Sequence, residues 1–447
     1  VSTYTYHYAN ASALKSHSAS PFLSLAAFNE DSLEEDTPCY FWGSLLDPYV
    51  TARAFMTLSK VVRSRFTLSA AERSAMRDPI VTAGAGLMRL EAFSGCNGVY
   101  ARVDMLPSSL DGEFLGSGTT NVDFNEPMIQ ALSTVSRQDK LLFSVGEKEV
   151  ILEKQGQQII ERKVTLPTRW IKGLTAVQAY LSTMEPFGSY SKVQTLQLFQ
   201  SLPRGETSND FFLTYRANRP VFSPVASGKS LRIGGLHRLR LLEALVPLQE
   251  GLDVFQSPDE QATAFVFRLG TLRFLLTLSR ETKRGFSGEG NILDTLVEAV
   301  PESYIQGARQ LFQTNEAFNP TLLSLEKDLD PVVLNRVSMH LSAMGLLGYD
   351  VIDHQFFYRK LPFRPSRILS LNPRLKNAQS LLEADGIEIL EQTPDRVQAR
   401  VRGSKDNVYR VLIEGNKARC TCPWYASHEG LRGSCKHVLA VQLALQS

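Results

Sequence analysis

Cysteine is scarce, with five in 447 residues, too few for a scaffold held together by disulfides. Long apolar runs are lacking too. The most apolar tracts, such as Phe265 to Leu278, are interrupted by arginines, so no stretch of about 18 uncharged residues is available to cross a membrane as a helix. Val1 to Ser20 holds one lysine, two histidines and scattered Ser and Ala, without the compact apolar segment of a secretory leader; a start at Val1 suggests processing or trimming. An excess of one charge sign is also missing. The 48 Lys and Arg stand against 46 Asp and Glu, which excludes a disordered polyelectrolyte and a uniformly basic coat for nucleic acid. What remains is 43% apolar and 21% charged, enough for a large core. A cytoplasmic globular protein of two or more domains is expected.

The motifs of common enzymes are equally absent. No Gly-x-Ser-x-Gly, His-Glu-x-x-His or Asp-rich calcium loop occurs. The run Ser223 to Ser230 resembles a phosphate-binding loop, but Ser223 stands where its first glycine belongs and Pro224 follows it; a surface loop is expected. Cys39 and Cys96 have no Cys or His at ligand spacing and read as ordinary thiols. Gly118 to Asn125 is unusually polar; Asp123 or Asn125 is expected to cap the helix starting at Glu126-Pro127, the alternative being a ligand site lined by Thr119, Thr120, Asn121 and Asp123. No enzymatic activity is expected.

Periodicity predicts an α+β chain. Phe41 to about Met76 reads as helix, broken near Asp47-Pro48. From Gly86 to Val164 the period is two, in LMRLEAF, VYARVDML, KLLFSV, EVILEK and QIIERKV, which predicts antiparallel strands with a hairpin at Gly95 to Gly98. Helices are predicted at Trp170 to Met184, Val193 to Leu202, Leu236 to Val246, Ile292 to Val300 and Tyr304 to Phe312. Strands are predicted at DFFLTYR, ATAFVFRL and TLRFLLTL. Pro331 to Phe363 has the helix, turn and aromatic strand order of a winged-helix unit, an order also common in plain mixed folds. Lys360 to Arg374, with prolines at 362, 365 and 373, is the best linker. Three domains are expected: 1-165, 166-363 and 364-447. Residues 361 to 447 carry 13 Lys and Arg against 8 Asp and Glu, a modestly basic tail.

Three of the five cysteines fall in that tail, as Cys420, Cys422, Cys435 and, with them, His437. VQARVRG and NVYRVLIEG before Cys420 alternate apolar with polar, so Cys420 and Cys422 sit at a strand end or in the turn leaving it, where positions i and i+2 share a face. A helix begins near His437, and within a helix i and i+2 point to opposite sides. Cys435 must therefore precede that helix, with His437 in its first turn. The four make a tetrahedral Cys3His site suited to Zn2+. Four protein ligands leave no position for an activated water, so the ion is structural. Its three thiolates leave one net negative charge, which Lys417, Arg419, Arg432, Lys436 and the helix N-terminus are placed to offset. His428 is a substitute ligand of lower rank.

The pattern Cys-x-Cys-Pro, a variable loop, then Cys-Lys-His-Val-Leu-Ala resembles the SWIM zinc finger, and the match spans the last 40 to 60 residues or so. The resemblance implies Cys420, Cys422, Cys435 and His437 as the ligands, and DNA binding or protein contact as the role. Phe93 to Asp104, Gly118 to Asn125 and Arg169 to Gly173 resemble bacterial SWIM-containing proteins encoded beside a MoxR-type AAA+ ATPase and a von Willebrand factor A protein. It implies a large mixed helical and antiparallel-sheet body with a small zinc-stapled ββα-type SWIM module, acting as an adaptor for such partners. For contact with a partner or with nucleic acid, the candidates are Arg419, Trp424, Tyr425, Arg432 and Lys436: cations beside aromatics suit phosphate and base stacking, and Trp and Tyr also anchor protein interfaces. The adaptor is the favoured reading and a DNA-binding protein the alternative.

Overall fold

The computed structural model describes residues 13–17, 20–24, 40–64, 79–121, 126–145, 168–207, 209–282, 285–286, 292–297, 317–359, 372–403, 407–415, 417–430 and 433–445. The fold is α+β. Backbone proximity divides the chain into two units, the first of Val1–Gly173, Thr183–Phe286 and Arg359–Pro362, the second of Leu174–Ser182, Ser287–Tyr358 and Phe363–Ser447. Among the described residues no helix is long and apolar enough to cross a membrane.

The first unit is built on an eight-stranded sheet in the order Glu185–Ser191, Gly251–Gln256, Ala262–Leu269, Leu272–Ser279, Val99–Met105, Leu87–Phe93, Ile80–Gly84, Gly118–Asn121. Every neighbouring pair is antiparallel. ATAFVFRL and TLRFLLTL form its central hairpin, turned at Gly270 with φ 68°. They are buried along almost their whole length, as expected for strands covered on both faces. The predicted hairpin at Gly95 to Gly98 is present, with Asn97 at φ 62°. A five-stranded sheet runs Ala13–His17, Ser20–Ser24, Leu141–Val145, Phe41–Leu45, Leu110–Phe114.

Several local expectations are corrected. The helix read from Phe41 is a strand, Phe41–Leu45, followed by a helix, Pro48–Arg63. Asp47 explains the boundary: its Oδ1 accepts the Val50 amide 3.1 Å away, and Pro48 takes the first helical position. Leu236–Leu245 winds as 3-10 turns instead of an α-helix. Gly118–Asn121 is an edge strand paired with Ile80–Gly84, its Thr119 and Thr120 buried, so those hydroxyls do not line an open loop. Asp123 and Asn125, the strands expected from EVILEK and QIIERKV, and the helix expected at 304–312 lie outside the described residues. Lys229, in the glycine-poor loop, donates to the Phe187 carbonyl at 3.2 Å.

Inside the large sheet lies a charged cluster. Glu91 is fully buried, accepts from the Tyr100 hydroxyl and pairs with the equally buried Arg359. Burial pushes the Glu91 carboxyl up, yet Arg359, the Tyr100 hydrogen bond and Arg102 bring it below its ordinary value. Beside it Arg102 grips Asp104 at 2.7 Å.

The second unit includes, within Ser287–Tyr358, helix α1 (Ile292–Val297), strand β1 (Ala317–Phe318), helices α2 (Pro320–Lys327) and α3 (Pro331–Ala343), and strands β2 (Leu347–Asp350) and β3 (Gln355–Tyr358). The strands pair antiparallel in the order β1-β3-β2. Both long helices start on a side-chain cap followed by proline: Asn319 before α2, Asp330 before α3. Phe318, Leu323, Leu334, Val337, Leu341 and Phe356 fill the core between them.

Candidate metal centre

The chain ends in helix α4 (Pro373–Glu383), strands β4 (Ile387–Gln392), β5 (Arg396–Arg402), β6 (Val408–Glu414) and β7 (Lys417–Cys420), and helices α5 (Pro423–His428) and α6 (Lys436–Ala444). The strands make one antiparallel sheet in sequence order. Alternation sets its faces. Val397, Ala399 and Val401 of β5 and Val411 of β6 turn inward with Val438 and Val441 of α6, forming a core that contains the three cysteines. Arg374 belongs to a helix and not to a linker: Asn372 Oδ1 accepts the Arg374 amide at 3.0 Å, and Pro373 starts α4. Residues 360–371 lie outside the described residues.

Each of the four candidate positions follows from where an element starts or stops. Cys420 closes β7. Cys422 is the N-cap of α5, its sulfur accepting the Tyr425 amide at 3.3 Å. Cys435 is the N-cap of α6, and His437 lies in the first turn. All four are buried, with ligand atoms within 4.8 Å of one another. His437 Nδ1 lies 3.8 Å from Cys420 Sγ and 4.0 Å from Cys435 Sγ. A tetrahedral ion with bonds of about 2.3 Å to sulfur and about 2.0 Å to nitrogen needs sulfur–nitrogen edges of roughly 3.5 Å, so a small contraction seats a metal with Nδ1 as the donor. Tyr409 packs on the same imidazole, ring centroids 4.6 Å apart. The Cys3His set can therefore coordinate a metal ion. His428 stands apart from it, its ring stacked on Trp424 at 4.5 Å.

The thiols are already unequal. Cys435 accepts from Cys420, and this, with a lesser contribution from His437, lowers it to about 4 against the cost of burial. Cys420, donating that hydrogen bond and buried beside the resulting negative charge, is pushed up. Burial raises Cys422.

Among the residues expected to make contacts, Arg419 is exposed on β7 and Lys436 half-buried at the start of α6. Trp424 and Tyr425 are half-buried and packed against the metal-centre core. The Arg374 guanidinium lies over the indole at 4.7 Å, and the Tyr425 hydroxyl donates to the Ala418 carbonyl at 2.7 Å. Arg432 lies outside the described residues. Sequence reading missed Arg374, Asn377 and Tyr409, which with Cys422, Pro423, Trp424, Cys435, Lys436 and His437 line a cavity of about 270 Å³; the Asn372-Pro373 cap signal would have placed the first two on a helix.

The outer face of the sheet is the other feature. Arg400 stands directly across from Arg410, Arg402 from Val408, and Leu412 from Arg419. Arg396 reaches Glu391 and Glu414 at 3.6 and 3.5 Å, and Arg400 reaches Glu388 at 3.6 Å. No ion pair among the described residues engages Arg402, Arg410, Lys417 or Arg419.

Among curated proteins none matches the chain. Among solved structures it is similar to the proliferating cellular nuclear antigen of Entamoeba histolytica, with 11% identity, a TM-score of 0.33 and cover of 54% of this chain and 98% of that one. It is similar also to the PCNA2–PCNA3 complex of Sulfolobus tokodaii, with 9% identity, a TM-score of 0.33 and cover of 53% and 98%. The SWIM zinc finger family matches residues 409–446, the stretch that contains all four ligand residues.

Proposed function

We propose that the chain is a non-catalytic adaptor in which Zn2+, held by Cys420, Cys422, Cys435 and His437, braces a sheet that docks a partner protein. Soft thiolates favour zinc over hard cations. Bound by four side chains, zinc cross-links β7 to the starts of α5 and α6. The observation that carries the docking reading is the outer sheet face, where Arg402, Arg410 and Arg419 alternate with Val408, 57% exposed, and the half-buried Leu412. Mixed arginine and aliphatic surface with interspersed glutamates suits a protein partner bearing acidic groups. Following the family resemblance, that partner is a MoxR-type AAA+ ATPase acting with a von Willebrand factor A protein.

The test is co-expression of the full chain with such a pair, followed by elemental analysis and co-purification. Expected are about one zinc per chain and a complex lost on Cys435→Ser and weakened by Arg400→Glu with Arg410→Glu. A metal-free chain, or a complex indifferent to these changes, would refute the reading.

A nucleic acid is the second reading, favoured by Arg400 facing Arg410, since a phosphate backbone relieves such a pair. Against it, Trp424 is taken up by Arg374 and His428 and is not free for base stacking. Duplex and single-stranded DNA titrated at low and near-physiological salt separate the two: affinity falling linearly on a double-logarithmic plot supports nucleic acid, and none at low salt removes it.

A further inference from the structure

The segment from α1 to β3 presents a second, chemically different surface. Helix, strand, two helices and a hairpin, with strand order β1-β3-β2, is the arrangement of a winged helix, in which the second helix of the pair enters the DNA groove. Here that helix is α3. Its exposed positions are Pro331, Val332, Asn335 and Arg336, and Asp330 caps its start. One arginine behind a carboxylate is the wrong equipment for a phosphate backbone, which calls for several cations.

What the corner does expose is aliphatic. Leu322 is 59% exposed, Leu325 76%, Leu329 41% and Val332 64%. Leu322 and Leu325 are three apart on α2 and share a face. Asp328, at φ 51°, ends α2, and the Leu329 amide bonds back to the Ser324 carbonyl at 2.9 Å, so the chain folds Leu329 back over the last turn of α2. Acidic groups outnumber the cation at the rim of this patch: Glu326, Asp328 and Asp330 are exposed around it, with Lys327 between the first two, and no ion pair among the described residues engages Glu326 or Asp328. The core side of α2 is already filled by Leu323, while Leu322 and Leu325 stand more than half exposed outside it.

We propose that the α2–α3 corner is a protein-docking surface, and that its occupant is an amphipathic helical segment of a partner, with large aliphatic side chains on one face and flanking Lys or Arg. Apolar contact gives the attraction, and the three carboxylates select a basic over an acidic segment. The proposal goes beyond the metal-braced sheet and does not depend on it.

The test uses the zinc-loaded full chain and two fluorescent peptides with the same helical leucine spacing, one carrying Lys and the other Glu at the remaining positions, read by anisotropy. The expected result is binding of the Lys peptide in the micromolar range and at least tenfold weaker binding of the Glu peptide. Leu322→Ser with Leu325→Ser, and separately Glu326→Lys, should each weaken the Lys peptide about tenfold while leaving the thermal melt and the zinc content in place. Equal binding of the two peptides, or an affinity untouched by the double serine variant, overturns the proposal. So does wild-type self-association in sedimentation that the double variant abolishes, which assigns the face to a second copy of the chain. Duplex DNA binding lost on Arg336→Ala would instead make the unit a DNA reader.

Discussion

Arg374 lies over the ring of Trp424 and, at 3.0 Å, donates to the carbonyl of Ser434, the residue before Cys435. One side chain thus ties α4 to α5, which Cys422 caps, and to the turn leading into Cys435. Arg374→Ala should destabilise the module by about 1–3 kcal/mol and speed zinc transfer to a chelator, with Arg374→Lys a poor substitute because an ammonium cannot stack flat while reaching the carbonyl. Thermal melts and chelator competition read both effects.

Zinc uptake should release protons in a defined number. Cys435 is lowered to about 4 and is a thiolate at neutral pH, whereas Cys420 and Cys422 are raised and enter as thiols. Binding at pH 7 should therefore expel about two protons, and affinity should climb as pH rises. Calorimetric titration in two buffers of different ionisation enthalpy counts them; zero protons would mean that the thiols are already ionised.

Glu91→Gln leaves Arg359 buried without its carboxylate, a loss expected to cost roughly 3–5 kcal/mol. The sign with pH follows from the direction of the shift. The folded carboxyl lies below its ordinary value of 4.5, so its contribution is complete above that value and fades as pH falls through the lower, folded one. Urea unfolding from pH 7 down to acid should show the wild type losing stability faster than Glu91→Gln.

Arg410→Thr should move stability and binding in opposite directions. Removing a cation that faces Arg400 across the strand pair should gain roughly 0.2–1 kcal/mol in stability, while partner affinity falls. Parallel melts and binding curves decide it; a loss of stability would mean that Arg410 contributes packing that the exposed face does not reveal.

The Cys3His cluster was legible because two periodicities disagree within it. Positions i and i+2 share a face in a strand and not in a helix, which fixes Cys420 at a strand end and Cys435 ahead of α6. The surroundings of Trp424 were not legible in the same way. Trp424 sits on α5, only six residues long, too short to display which side faces inward, and its partner Arg374 is fifty residues earlier in a stretch whose prolines read as a linker. Five residues at Phe41–Leu45 are likewise too few to separate a strand from the helix that Asp47 caps. The aliphatic corner at Leu322 to Val332 has helical spacing whichever side meets the core, and only the packing of Leu323 reveals which leucines are left outside.

Cys422 and Cys435 each occupy the position where a helix begins. Stripping the ion would therefore loosen two helical starts in one event, so that demetallation should register as a single cooperative drop in far-ultraviolet ellipticity, and peroxide reaching these sulfurs would unwind the same two turns.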